Sequence, residues 1–133
     1  MSKYEELRIL LERSRRFYES SIIQIEKGFY DLTAFSLEQS LQLFLKAYLL
    51  KLGVDYTRTH SSRKLLEMIY EITKFEVIKD LVQKFSIELA FLEDIYITSR
   101  YISREFTLNE VSRLKKVIDE VIEVVREVLD KRS

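Results

Sequence analysis

The chain contains no proline, and its only glycines are Gly28 and Gly53. Sandwiches and barrels need frequent chain reversals, and proline and glycine are the residues that set them. With two glycines in 133 residues, the sequence instead favours long uninterrupted helices, because nothing in it stops them locally. The expected fold class is all-α, a bundle of about five helices running up and down with antiparallel neighbours.

The helix boundaries follow from caps and apolar period. The first helix is expected from about Lys3 to Lys27, opening with Ser2 and Glu5 in capping-box spacing and closing at Gly28. The second is expected from about Leu32 to Leu52, with Gly53 just past its end. A third starts after Thr59 or Ser61 and carries Leu65, Leu66 and Ile69 on one face. Thr73 and Glu76 repeat the capping spacing, which predicts a fourth helix reaching about Tyr96. Thr107 and Glu110 repeat it once more. The fifth helix then shows Val111, Leu114, Ile118, Val121, Val125 and Val128 at spacings of three and four, a helical period that outweighs the poor helix propensity of valine. Phe35, Phe44, Tyr48, Phe85 and Phe91 sit at positions expected to pack.

Composition narrows the chemistry. Lys plus Arg and Asp plus Glu both number 22, which argues against a protein that coats nucleic acid nonspecifically and leaves room for a local basic site. Cysteine is absent and His60 is the only histidine, so disulfides, thiolate sites and two-imidazole sites within one chain are excluded. No Glu-x-x-His pair recommends a carboxylate metal site, and no cofactor is expected. The N-terminal stretch MSKYEELRILLERSRR is charged throughout, unlike a signal peptide. The run LQLFLKAYLLKL is interrupted by Lys46 and Lys51 and is too short to span a bilayer. A cytoplasmic protein with no membrane association is expected. Charged residues at 33% with neither proline nor cysteine suggest a thermophilic source.

Two connections carry the residues that suggest binding. GVDYTRTHSSRKLL supplies Arg58, His60, Arg63 and Lys64 against the single acid Asp55. Arg63 and Lys64 fall at the first turn of the third helix, where the macrodipole favours acids and unpaired N–H groups attract anions. TSRYISREFT, residues 98–107, supplies Arg100, Tyr101 and Arg104 just ahead of the fifth helix. Arginine offers a fixed fork of donors to phosphate, and tyrosine offers a face for stacking and a hydroxyl. Each residue also has a purely structural reading. Arg100 fits a pair with Glu93 or Asp94, and Arg104 fits one with Glu105 or Glu110. Tyr101 fits a core or lid position, and His60 fits a cap. Lys46 reads more simply as a stem snorkelling from the core edge.

The run YDLTAFSLEQSLQLFLKAYLLKLGVDYTRTHSSRKLLEMI resembles the HEPN domain. The resemblance lies in an aromatic-rich helix with Gln39 and Lys46, then KAYLLKLGV, then TH leading into LLEMI, and finally SRY at Ser99–Tyr101 before the last helix. It extends from about Tyr18 to the C-terminal helix. It implies a bundle of about five helices that usually dimerises, so a homodimer is expected.

Two functions go with that resemblance. Some HEPN proteins are ribonuclease toxins that use an arginine separated from a histidine by four to six residues, often beside a minimal nucleotidyltransferase. Others lack the pair and are considered nucleotide-binding or partner modules. Here the histidine positions after Arg100 hold Glu105, Phe106 and Thr107, and the arginine positions before His60 hold Gly53, Val54 and Asp55. Cleavage through a 2′-hydroxyl would lack its near-neutral acid or base. The expectation is therefore a non-catalytic protein. It would bind a nucleotide or RNA phosphate through Arg58, His60, Arg63, Arg100, Tyr101 and Arg104, or partner a nucleotidyltransferase in a toxin–antitoxin-like system. A metal-independent ribonuclease with a degenerate motif is the alternative.

Overall fold

The computed structural model describes residues 2–56, 58–101 and 104–131, with only the backbone described for 99–101. Among these residues there are six helices: α1 (Lys3–Glu26), α2 (Tyr30–Lys51), α3 (Ser62–Thr73), α4 (Glu76–Lys84), α5 (Ser86–Tyr101) and α6 (Leu108–Asp130). The expected helical bundle is present. The stretch read as one fourth helix is two.

α2 is the central element. Apolar residues surround it: Leu37, Leu41, Leu45 and Leu49 are fully buried, as are Leu65, Leu66 and Ile69 of α3 and Val121 and Val125 of α6. A helix buried over most of its circumference has little solvent face to present and becomes the core of the bundle. α1 lies along it at close range. The hydroxyl of Ser14 donates to the Ser40 carbonyl at 2.7 Å, and that of Ser40 donates back to the Ser14 carbonyl at 2.9 Å. Small side chains at this crossing let the backbones approach. α6 closes the other flank, where Tyr18 donates to Asp119 at 2.5 Å and Tyr48 donates to Asp130 at 2.8 Å.

Five of the expected boundaries hold. The Ser2 hydroxyl accepts from Glu5 N, and Ser61 from Lys64 N, both at 3.1 Å. Gly28 and Gly53 take φ of +76° and +82°, which side chains with a Cβ resist. Thr107 and Glu110 form a complete capping box.

The Thr73–Glu76 box does not form. Thr73 is the last residue of α3, and its hydroxyl donates to the Ile69 carbonyl at 2.9 Å. Lys74 then turns left-handed at φ 58°, and Phe75 precedes α4 without a side-chain cap. A second break follows at Phe85, whose N–H still reaches Leu81 O at 3.0 Å while its carbonyl accepts from Leu89 N at 2.8 Å. Hydrogen bonds thus continue on both sides of the bend, and the half-buried ring packs against the core. No described helix is long and apolar enough to cross a membrane.

Candidate functional site

The N-terminal end of α3 is held by α2 and α5. Ser61, which caps α3, also donates its hydroxyl to the Glu93 carboxylate on α5. Arg63 stands 3.5 Å from the same Glu93 and 3.1 Å from Glu67. One step back along the chain, His60 lies flat on Tyr96, with ring centroids 4.1 Å apart. Moving backward from Ser61 to His60 therefore corresponds to moving forward from Glu93 to Tyr96. The two segments run antiparallel, and Arg100 lies one helical turn beyond Tyr96 in α5.

Beneath His60 a polar row runs through the core helix. Glu38, Gln42 and Lys46 recur every four residues on α2 and are all buried, Glu38 completely. Gln42 Nε2 donates to Glu38 at 2.8 Å, and Lys46 Nζ donates to Gln42 Oε1 at 2.9 Å. Gln39 Nε2 donates to the other oxygen of Glu38, also at 2.8 Å. His60 joins the row through Nδ1, 3.4 Å from Gln42 Oε1. Burial lowers the pKa of Lys46, and the Glu38 charge opposes that shift. The ammonium also sits 5.5 Å from the Tyr56 ring centroid, and Tyr56 donates to Glu6 at 2.9 Å.

The six expected binding residues are thus distributed unevenly. Arg58 is exposed and His60 stands two residues after it. Arg63 is on the same end of α3, engaged with two carboxylates. Arg100 and Tyr101 are not in a connection, because α5 continues through Tyr101. A cation in a last helical turn is favoured by the macrodipole, so the argument that an unfavourable position marks an anion site does not apply to Arg100. The side chains of Arg100 and Tyr101 lie outside the described residues, as do Ile102 and Ser103. Arg104 has structural partners of its own. It pairs with Glu110 at 2.9 Å and covers the rings of Phe91 and Phe106, with centroids 4.9 and 4.4 Å away.

Glu93 was named from the sequence only as a pair for Arg100, and Tyr96 only as a helix end; Glu38 and Gln42 were not singled out. Their signal was the four-residue recurrence of Glu38, Gln42 and Lys46 within an otherwise apolar helix. A buried polar residue in such a helix requires partners, and those partners mark where other elements converge.

A helical bundle with a polar row in its core helix and a basic helix start above it defines a small all-α domain. A family model for the HEPN domain matches residues 7–128, and the chain belongs to that family. Comparison with the curated proteins finds no match.

Proposed function

We propose that the protein is a non-catalytic binding module for the phosphate of a nucleotide or RNA. The site is the N-terminal end of α3, with Arg58, His60 and Arg63, beside the last turn of α5, with Arg100 and Tyr101. The observation that carries this reading is the His60–Tyr96 stack at 4.1 Å. It sets the segment preceding α3 alongside α5 just where the α5 sequence turns to Arg100 and Tyr101. Arg58 supports the reading because it has no ion pair among the described residues. Arg104 serves a different purpose, bracing the start of α6 through Glu110, and falls outside the proposed site.

The test is thermal melting with ATP and with a short single-stranded RNA at up to millimolar concentration. Ligand that binds only the folded state raises the melting temperature, by about 2.7 kcal/mol of added stability at a hundredfold excess over Kd. Arg58→Ala and Arg100→Ala remove the rise and Arg104→Ala keeps it. No rise in the unsubstituted protein overturns the reading.

A homodimer accompanies this reading. Ile22, Ile23, Phe29 and Leu32 are 38%, 55%, 48% and 49% exposed around the α1–α2 turn, and neighbouring apolar side chains left in water favour an interface. Light scattering at micromolar concentration gives twice the chain mass if this holds. A monomer contradicts it.

A further inference from the structure

Between α1 and α6 the bundle leaves an open cleft of about 1070 Å³ over α2. It is lined by Leu11 and Ile22 of α1, Phe44 and Tyr48 of α2, and Ile122 of α6. The hydroxyls along it spend their protons inside the chain. Ser14 and Ser40 donate to each other's carbonyls, Tyr18 donates to Asp119, and Tyr48 donates to Asp130. A polar ligand finds no free hydroxyl proton there, so the cleft suits an apolar occupant flanked by charge.

Ile22 belongs both to this cleft and to the exposed apolar patch completed by Ile23, Phe29 and Leu32. In a two-fold dimer each copy gives and receives the same contact, so patch and receiving surface lie side by side on one molecule. Patch and cleft meet that requirement at Ile22. Charge then sets a register. Lys27, within the patch, is exposed and has no ion pair among the described residues. The same holds for Glu123 on the α6 wall of the cleft. α6 runs from Asp119, beside Tyr18, to Asp130, beside Tyr48, so Glu123 lies about two helical turns inward from Ile22. A two-fold axis near Ile22 carries Lys27, five residues further along, about 7.5 Å into the partner's cleft. Glu123 stands about 11 Å in, and a lysine side chain spans the difference.

We infer that the occupant of the cleft is a second copy of this chain. The α1–α2 turn of each protomer enters the α1–α6 cleft of the other, with Lys27 of one copy against Glu123 of its partner. The inference rests on the homodimer reading above and specifies patch into cleft rather than patch against patch.

Analytical ultracentrifugation of the full chain measures the dimer Kd. Lys27→Glu and Glu123→Lys, both at exposed positions without described partners, each raise it roughly tenfold, because each puts two like-charge contacts into the interface. The two substitutions in one chain restore the original Kd, and an equimolar mixture of the two single variants associates as tightly as the unsubstituted protein. A dimer whose Kd is unchanged by Glu123→Lys, or a mixture that stays dissociated, overturns the inference and leaves the homodimer standing. An unsubstituted chain that is monomeric at micromolar concentration leaves the cleft to another occupant and overturns both.

Discussion

His60 lies flat on Tyr96, with ring centroids 4.1 Å apart and planes 15° apart. This contact joins the segment before α3 to the second half of α5, more than thirty residues later in the chain. A stacked pair contributes about 0.5–1.5 kcal/mol beyond the area it buries. Tyr96→Ala is therefore expected to lower stability by about 1–3 kcal/mol, adding the lost burial of a half-exposed ring. Urea unfolding of the two proteins measures the difference. A loss under half a kcal/mol means the stack does not brace this end of α3.

Lys74 is the only non-glycine residue with positive φ among the described residues, at 58°. The left-handed conformation costs a side-chain-bearing residue about 1–2 kcal/mol. The Lys74–Glu71 pair at 2.8 Å is largely exposed and offsets little of that. Lys74→Gly is expected to stabilise the fold by about 0.5–1 kcal/mol, after the greater backbone entropy of glycine in the unfolded chain is set against the relief. Chemical denaturation that shows destabilisation would contradict this account of the α3–α4 junction.

Much of the fold was legible because helix ends are written in local chemistry. Ser2, Ser61, Thr107, Gly28 and Gly53 each act on a backbone group within a few residues of themselves. The break at Phe85 has no such signature, since its cause is tertiary: the ring packs on the core while backbone bonds continue around the bend. Thr73 and Glu76 have the spacing of a capping box, but Thr73 was already committed to α3. The same limit applied to the site. His60, Arg58 and Arg63 could be grouped because they are adjacent in sequence. Gln42 and Tyr96 reach the group only through the packing of α2 and α5. Arg104 was drawn in by its proximity to Arg100, and its contacts with Glu110, Phe91 and Phe106 give it a structural task.

The Thr107–Glu110 box predicts an acid-sensitive start to α6. The Thr107 backbone N–H lowers the Glu110 pKa, burial opposes this, and Arg104 adds to the lowering. A depressed folded-state pKa contributes stability that is present above the ordinary glutamate pKa of about 4.3 and is lost as pH falls through the folded value. Melting temperature is therefore expected to fall on going from pH 6 to pH 3, and to fall less steeply in Glu110→Gln. Identical acid limbs in the two proteins would remove Glu110 from the explanation. Thr107→Ala at neutral pH is expected to cost about 1 kcal/mol.

The Ser62 hydroxyl is buried without a hydrogen-bond partner among the described residues. An unsatisfied buried hydroxyl is destabilising by about 1–3 kcal/mol relative to a matched apolar group. Ser62→Ala is expected to raise the unfolding midpoint by an amount equivalent to about 1 kcal/mol. A midpoint that falls would show that this hydroxyl does have a partner in solution.

The central claim is that one end of α3 and the last turn of α5 together receive a phosphate-bearing ligand, and the lone imidazole reports on it. Proton NMR of the His60 ring, recorded during titration with ATP and with a short single-stranded RNA, is the most direct measurement. The account predicts saturable movement of the His60 resonances, absent in Arg58→Ala and Arg100→Ala and preserved in Arg104→Ala. Resonances that stay fixed up to millimolar ligand, or that move equally in all three variants, would contradict it.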